Sequence, residues 1–220
     1  MKMRRILLIM TALLALAACR KEPDMTETDG KYLVYTSYDA DTDFSVYSTF
    51  IVADSMFVMN SGNSGYVSED DDSEVREILD AYRDEMTALG YTEVQTKADA
   101  DLGIQVSYLE QMHQSVDFVP GPYWWWDYPG YWSPGWWGGY YGGWAPYSYP
   151  VSYSWSTHSV LTALVDLTPL TGDEEADSEV RLSVVWNSYL DGSLVSGYRI
   201  MDNLKESIGQ SFAQSPQLAK

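Results

Sequence analysis

The chain has 220 residues, of which 32 are acidic and 13 basic, so its formal charge at pH 7 is -19. A chain this acidic repels phosphate groups, which argues against nucleic acid and bare anionic lipid as partners. Apolar residues make up 45% of the chain, enough to form a core. Cys19 is the only cysteine, which excludes an intrachain disulfide and a multi-cysteine metal site.

The first 18 residues have the pattern of a removable export signal. Lys2, Arg4 and Arg5 precede an apolar run that leads through small residues to Cys19. The uncharged run from Ile6 to Cys19 covers 14 residues, and a transmembrane helix needs about 18–20. Loss of the signal with its three basic residues brings the charge of the mature chain to -22.

The segment Leu16–Cys19 matches the bacterial lipobox, in which the cysteine thiol receives a diacylglyceryl group and becomes the new N-terminus. We therefore predict Cys19 as the lipidation site and its acyl chains, such as palmitate, as a stable membrane anchor. Arg20 stands where an aspartate retains lipoproteins at the inner membrane, which is typical of outer-membrane sorting. Whether the domain faces the periplasm or the cell surface stays open. Residues 20–31 after the lipidated cysteine are polar and predict a flexible tether.

Hydrophobic periodicity predicts one α+β domain over residues 32–220. The predicted helices are Glu74–Leu89 and Tyr198–Ala213, whose apolar residues recur at helical spacing. The predicted strands, rich in β-branched and aromatic residues, lie at 32–38, 46–53, 102–108, 151–167 and 180–186. The order β-β-α-β-β-β-α predicts an antiparallel sheet of about five strands with two amphipathic helices packed on it.

The strand predicted at 102–108 alternates Leu102, Ile104 and Val106 with glycine and polar residues. This alternation indicates a half-buried strand, with one face in the core and the other toward solvent. Residues 60–73 consist largely of asparagine, serine, glycine and acids, and they are predicted to form a loop.

Residues 120–150 are the most unusual part of the chain, because seven are Trp, seven Tyr, seven Gly and six Pro. Gly and Pro at this density exclude a regular helix and a central strand, so a long loop between strands is predicted. Its aromatic segment, residues 123–144, is the candidate binding surface. The residues of that surface are Tyr123, Trp124, Trp125, Trp126, Tyr128, Tyr131, Trp132, Trp136, Trp137, Tyr140, Tyr141 and Trp144.

Three interpretations of the aromatic segment stay open. Its rings fold back onto the sheet as an accessory core, or they form a surface for sugar rings or a protein partner. The third interpretation is contact with the bilayer interface, which Trp and Tyr prefer, although the segment has no Lys or Arg for anionic headgroups. Stacking on single-stranded nucleic acid needs a basic groove, and the sequence provides none.

The sequence contains no recognisable catalytic constellation. His113 and His158 are the only histidines, and each is interpreted as a surface or hydrogen-bonded residue rather than a catalytic base. The segment Gly62–Tyr66 lacks the final glycine of a nucleophile elbow. The paired carboxylates of a glycosidase cannot be chosen among 32 acids without geometry. We therefore predict no cofactor, no metal and no enzymatic activity.

Two acidic features have a defined interpretation. Asp39, Asp41 and Asp43 have the first three ligand spacings of a calcium loop, but phenylalanine replaces both the glycine and the glutamate that an EF-hand needs. A weak, irregular calcium site there stays open. Asp166 ends an apolar strand and is the acid that we expect to be partly buried, with turn formation before Pro169 as its structural role.

Short motifs follow one another along the mature chain in a specific order. After the lipobox come residues 35–39 (YTSYD), 43–50 (DFSVYSTF), 89–91 (LGY), 100–102 (ADL), the aromatic loop, 165–167 (VDL), Val185-Trp186, and a closing helix with Phe212 and Pro216. This order resembles the envelope lipoprotein family known as domain of unknown function 4136, over nearly all of the mature chain. The ending at residues 213–216 and the extreme aromatic loop are similar to Bacteroidota members.

The resemblance implies a small α+β lipoprotein of the Gram-negative envelope with no established activity, so it supplies no catalytic residues. It implies structural roles for Tyr47, Phe50 and Trp186 as core aromatics and for Asp43 as a turn or capping residue. Family members often carry a basic residue before the Thr-Phe pair. Ser48 stands there in this chain, so no charge is inferred at that position.

We therefore predict a lipid-anchored, non-enzymatic envelope domain that binds a glycan, peptidoglycan or an envelope protein through the aromatic segment. The predicted organisation is a signal at 1–18, a lipidated tether at 19–31, and a single domain at 32–220 with its loop at 120–150. Two rivals stay open. One is a structural envelope protein with a buried loop, and the other is a glycan-acting hydrolase that uses unidentified carboxylates.

Overall fold

The computed structural model describes residues 31–60, 65–111, 158–170, 183–192 and 200–220. Eight strands and two α-helices lie in these ranges. The strands are β1 (Leu33–Tyr38), β2 (Thr49–Val52), β3 (Ser55–Asn60), β4 (Gly65–Ser68), β5 (Thr92–Glu93), β6 (Leu102–Gln111), β7 (Ser159–Asp166) and β8 (Ser183–Asp191). The helices are α1 (Ser73–Ala88) and α2 (Ile200–Ala213).

The described strands form one mixed sheet with β6 near its centre. The main path has the order β1-β8-β7-β6-β2-β5, and β3 pairs with β6 and with β4. β2 and β3 run parallel to β6, whereas β6, β7, β8 and β1 are successive antiparallel neighbours. The parallel pairs follow from the connection, because the chain passes through α1 before it returns to the sheet as β6.

The prediction of an α+β fold with two helices is confirmed, but the predicted sheet of about five antiparallel strands is wrong. The sheet is mixed and has eight described strands. The prediction misses β3, β4 and β5, and β4 lies inside residues 60–73, which the composition assigns to a loop. β4 and β5 have only four and two residues, and their backbone groups pair with neighbouring strands whatever the polarity of the side chains.

α1 begins and ends one residue before its predicted limits. The Asp72 carboxylate caps it by accepting hydrogen bonds from the backbone N–H of Glu74 at 2.8 Å and of Val75 at 3.3 Å. After the helix, Gly90 has a φ of 97°, a conformation that glycine adopts without steric cost. The predicted apolar stripe is buried at Val75, Ile78, Leu79, Tyr82 and Met86, and its last member, Leu89, is half-buried just after the helix.

α2 buries Leu204, Ile208 and Phe212, as its periodicity predicts. The Phe212 ring lies 5.2 Å from the ring of Trp186 on β8. The indole N–H of Trp186 donates to Ser215 Oγ at 2.8 Å, which ties the end of the helix to the sheet. The predicted start of this helix at residues 198–199 lies outside the described residues.

Both helices pack on one side of the sheet, which we call the first face. One cluster of buried side chains joins them to this face and includes Phe50, Ile104, Val106, Leu164 and Trp186. Burying a large apolar side chain stabilises a fold by about 1.5–3 kcal/mol, so this layer is the main source of stability. Tyr47, Phe50 and Trp186 are all buried, which confirms their assignment as core aromatics.

The strand limits differ from the predicted ones where local structure intervenes. β2 starts at Thr49 rather than at residue 46, because Phe44–Val46 forms a short 3-10 helix. β8 continues to Asp191, five residues beyond the predicted limit at Trp186. Residues 1–30 lie outside the described residues, so the signal and the tether stay predictions.

Candidate functional site

The twelve aromatic residues of the candidate surface lie outside the described residues, and so does Cys19. The strands on either side of residues 112–157 are described. β6 ends at Gln111 and β7 begins at Ser159, and the two strands pair antiparallel with Leu109 opposite Ser159. The aromatic segment is therefore inserted in the chain between the ends of two neighbouring central strands.

His158 is the described residue at the end of this insertion. Its backbone φ of 68° is positive, which is uncommon for a residue other than glycine. Its Nδ1 atom lies 2.7 Å from the hydroxyl oxygen of Tyr108 on β6. The interpretation of His158 as a hydrogen-bonded residue is confirmed, and His113 lies outside the described residues. The contact fixes the point at which the insertion returns to the sheet.

The side of the sheet opposite the helices, which we call the second face, carries a row of six residues in register. The row crosses β4, β3, β6, β7, β8 and β1 in that order as Tyr66, Phe57, Ser107, Leu161, Tyr189 and Tyr35. Both ends are aromatic, because the rings of Phe57 and Tyr66 lie 5.0 Å apart and those of Tyr35 and Tyr189 stack at 6.0 Å. None of the six side chains is charged at neutral pH.

The centre of the second face is as deeply buried as the first face. Gln105 and Ser107 on β6 and Ala163 on β7 are each 0% exposed. The prediction of a half-buried strand at 102–108 is therefore wrong, because polarity alternates along this strand and burial does not. The second face has its own buried cluster, which contains no residue of α1 or α2 and consists of Ala100, Ala163, Val165, Leu167 and Val184.

Hydroxyl groups lie among the rings of the second face. Ser159 Oγ is 3.2 Å from the hydroxyl of Tyr189 and accepts a hydrogen bond from the backbone N–H of Gly192 at 3.2 Å. Ser107 Oγ is buried without a hydrogen-bond partner among the described atoms, which is uncommon for a buried polar group. Uncharged rings with a few hydroxyls suit packing against other rings and flat apolar groups.

The aspartates between β1 and β2 make local hydrogen bonds. Asp43 accepts from the Ser45 hydroxyl at 2.6 Å and from the Ser45 backbone N–H at 3.1 Å, and these bonds lower the pKa of Asp43. Asp39 accepts from the backbone N–H of Asp41 at 2.9 Å. The capping role that the resemblance implies for Asp43 is confirmed. No group of three or more potential metal ligands is found within the described residues.

Asp166 has the turn-forming role expected for it. Its carboxylate accepts from the backbone N–H of Thr168 at 2.9 Å and from the Thr168 hydroxyl at 2.7 Å. The side chain is partly buried, as predicted for the end of an apolar strand. These contacts make Asp166 part of the turn before Pro169.

Sequence reasoning misses Asp101, which joins two distant motifs. Its carboxylate accepts hydrogen bonds from the backbone N–H groups of Ser48 at 2.6 Å and Thr49 at 2.9 Å. Burial raises the pKa of Asp101, but these bonds and the charge of Lys220 outweigh it, so the pKa is lowered. The contact holds the start of β2 beside the start of β6. The only signal in the sequence is the motif at 100–102.

Arg83 on α1 is a second feature that the sequence does not reveal. Its guanidinium pairs with Glu69 at 2.7 Å, Asp80 at 2.8 Å and Glu93 at 3.0 Å, and its side chain is 18% exposed. The three carboxylates belong to the turn after β4, to α1 itself and to β5. The network therefore attaches α1 to the short strands and has a structural role.

Comparison with known proteins places the chain in a family. A protein-family model described as a domain of unknown function (DUF4136) matches residues 34–217. A solved structure of a DUF4136 family protein from Bacteroides thetaiotaomicron is 40% identical, with a TM-score of 0.67. That likeness covers 87% of this chain and 99% of the other. Comparison with curated proteins gives no match.

Two other solved structures are more distant. A PelC dodecamer from Paraburkholderia phytofirmans is 11% identical, with a TM-score of 0.38 over 86% of this chain and 98% of that one. A PDZ domain protein from Parabacteroides distasonis is 14% identical, with a TM-score of 0.43 over 87% of this chain and 38% of that one. At these scores neither likeness carries an argument. No helix in the described ranges has the length and hydrophobicity to cross a bilayer. The family match and the Bacteroides relative confirm what the motifs predict, and the chain belongs to the domain of unknown function 4136 family.

Proposed function

We propose that the chain is a lipid-anchored envelope protein that binds a glycan or a protein partner through the aromatic segment and catalyses no reaction. The lipobox that ends at Cys19 supports the anchor. The relative from Bacteroides thetaiotaomicron supports an origin in a bacterium of that kind. Arg20 favours the outer membrane, where the domain faces the periplasm or the cell surface.

The observation that carries this proposal is the concentration of rings at one position of the fold. Seven of the nine tryptophans lie between residues 120 and 150. That part of the chain is inserted between β6 and β7, which pair side by side up to Leu109 and Ser159. Insertions on a rigid sheet commonly carry binding residues. Trp and Tyr rings stack on the apolar faces of sugars and are enriched at protein interfaces.

Charge narrows the class of ligand. The formal charge of -19 disfavours phosphate-rich partners, because like charges repel at long range. A neutral glycan, a peptidoglycan strand or a protein with a basic surface avoids this repulsion. The proposal therefore excludes nucleic acid and gives the membrane contact to the lipid on Cys19 rather than to the domain.

Co-sedimentation with isolated peptidoglycan and insoluble polysaccharides tests the binding role. The chain without its signal is compared with a linker variant, in which a short Gly/Ser linker replaces residues 123–144. A control variant carries Tyr38→Ser and Val46→Ser, which remove two exposed apolar side chains elsewhere. We expect the intact chain and the control to pellet and the linker variant to stay in the supernatant.

Other outcomes would change the proposal in defined ways. Equal pelleting of all three proteins removes the aromatic segment from the binding surface. If none pellets, glycan binding fails, and crosslinking in whole cells must then capture an envelope protein from the intact chain and not from the linker variant. Hydrolysis of a polysaccharide by the intact chain would replace binding with catalysis. Metabolic labelling with palmitate tests the anchor, and Cys19→Ser is expected to abolish the label.

A further inference from the structure

β1 forms one edge of the sheet and has none of the features that usually protect an edge strand. Among the described strands it pairs only with β8, and this pairing runs without a bulge from Leu33 to Tyr38. Natural edge strands are commonly very short, bulged, charged or interrupted by proline, because their unpaired backbone groups otherwise recruit another strand. β1 has six residues, none of them charged and none of them proline. Within the described ranges, β1 is therefore an edge that a further strand can join.

The hydrogen bond of Asp39 shows which backbone groups of β1 point away from β8. The Asp39 backbone N–H donates to the carbonyl of Val185 on β8 at 2.8 Å. In an antiparallel pair, every second residue directs both its N–H and its C=O at the same neighbour. Counting along the strand from Asp39, the residues whose N–H and C=O groups point to the open edge are Val34, Thr36 and Tyr38.

We propose that this edge binds β1 of a second copy of the chain, antiparallel and about a two-fold axis that passes beside Thr36. In this register Thr36 lies opposite Thr36 of the second copy, and Val34 lies opposite Tyr38 of the second copy. The outward N–H and C=O groups of all three residues then have partners, and the two sheets become one. The inference is independent of the proposed function, because it concerns how two copies join and not what they bind.

The side chains of β1 suit this register. Pairs of threonines and pairs of an aromatic with a β-branched residue stabilise neighbouring antiparallel strands. The register forms one threonine pair at Thr36 and two aromatic pairs between Val34 and Tyr38. Tyr38 is one of the large apolar side chains that the described part of the chain leaves exposed. The second copy therefore covers a ring that the single chain leaves in solvent.

The charges at the two ends of β1 favour a second copy over an unrelated extended segment. Lys31 precedes the strand, Asp39 and Asp41 follow it, and no charged residue lies between them. The same register sets Lys31 opposite Asp41 of the second copy, and the two-fold axis repeats this pair at the other end. The Lys31 ammonium already lies 3.3 Å from Glu206, but both side chains are exposed and the ammonium has donors left for a second carboxylate. The negative charge of the whole chain opposes association, yet salt screens it beyond about 8 Å at physiological ionic strength.

A cysteine beside the two-fold axis tests the pairing and its register. In the full-length Cys19→Ser chain the introduced thiol is the only one. Thr36→Cys places it opposite its own copy, at a Cα separation of about 5.5 Å that a disulfide spans. The control, Val34→Cys, lies four residues out of step with its copy, roughly 14 Å away at about 3.4 Å per residue. With oxidised glutathione, we expect Thr36→Cys to form a covalent dimer at least about tenfold faster than Val34→Cys on a non-reducing gel.

Sedimentation equilibrium of the full-length Cys19→Ser chain measures the dimer without a covalent link. Thr36→Pro removes an outward N–H, and an edge strand tolerates proline where its N–H faces solvent. Thr36→Val keeps the N–H and the shape of the side chain and is the matched control. We expect the chain with Thr36 and the Thr36→Val variant to dimerise equally, and Thr36→Pro to raise the dissociation constant at least about tenfold, because the central hydrogen bonds are lost. Circular dichroism verifies that all three proteins are folded.

Each outcome decides the proposal. A chain that stays monomeric at its highest soluble concentration overturns it, and so does a dimer that a folded Thr36→Pro variant leaves unchanged. Equal rates of disulfide formation at Thr36→Cys and Val34→Cys also overturn it, because they show that β1 does not pair in this register. If Thr36→Pro unfolds, the two cysteine variants decide, since both keep every backbone N–H. A failure to pellet glycans leaves all of these results unchanged, so the two proposals fail separately.

Discussion

The two faces of this sheet reach the same degree of burial by different means. On the first face, Leu102, Ile104 and Val106 meet amphipathic helices whose apolar stripes are visible in the sequence. On the second face, Gln105 and Ser107 from the same strand are equally buried, yet their polarity is typical of a solvated surface. Alternation along a strand therefore reports the chemistry of the side chains, and exposure depends on what the rest of the chain places over them.

The largest expected effect is on the first face. Phe212→Ala removes a ring that packs 5.2 Å from Trp186 and 6.1 Å from Tyr82, and it should lower the free energy of unfolding by about 3–5 kcal/mol. Urea unfolding followed by circular dichroism measures the change. A loss below about 1 kcal/mol would mean that the helix layer is not the main core, because truncated core aromatics normally cost more.

Leu161→Ala tests how much the buried side chains of the second face contribute to stability. The side chain is 4% exposed in the intact chain, so its truncation should cost about 2–3 kcal/mol. Urea unfolding of the variant and of the unmodified protein measures the loss. A loss below about 1 kcal/mol would mean that the second face contributes little to the stability of the fold.

Asp101→Asn tests the hydrogen bonds that connect the start of β2 to the start of β6. We expect it to change the free energy of unfolding less than the two core substitutions do. The hydrogen bonds to Ser48 and Thr49 lose their charge, and we expect a loss of about 1–2 kcal/mol at neutral pH. Because folding lowers the pKa of this carboxyl, its contribution is fully present above the unfolded pKa of about 3.9 and is lost as pH falls through the folded pKa. The difference from the unmodified protein should therefore shrink in acid. Asp71→Asn, at an exposed carboxylate, is the control for the substitution itself.

Lys31→Ala should have the smallest effect. Its ammonium lies 3.3 Å from the Glu206 carboxylate, but the two side chains are 52% and 65% exposed. Exposed pairs contribute about 0–1 kcal/mol and are screened by salt. We expect a change in the free energy of unfolding below about 0.5 kcal/mol, with no dependence on the aromatic segment. A larger effect would mean that the ion pair between Lys31 and Glu206 contributes more to stability than an exposed pair normally does.

The sequence predicts the elements that carry their own signal. The stripes of α1 and α2 and the longer strands are recognisable because one period repeats over several turns or residue pairs. β4 and β5 have four and two residues, and their pairing with neighbours is what defines them. Composition also singles out the aromatic segment. The position of Ser107 at the centre of the second face is not visible in the sequence, because the register of β3, β6 and β7 sets it.

Asp101 shows the same limit for a single side chain. Its partners Ser48 and Thr49 are more than 50 positions earlier in the chain, and only the parallel pairing of β2 with β6 brings them together. The family resemblance implies the capping role of Asp43, and the local sequence predicts the turn at Asp166. The partners of both lie two residues away. Short-range contacts are therefore predictable here, and contacts set by sheet order are not.

The pairing of β1 with β8 has a consequence for the time course of folding. Leu33 lies opposite Asp191, so the first described strand completes its hydrogen bonds only with the last one. A chain synthesised from its N-terminus keeps β1 without this partner until nearly all residues have been added. Contacts of such long range slow the final step, because a large loop must close before they form. The same pairing delays the completion of the native sheet until late in synthesis.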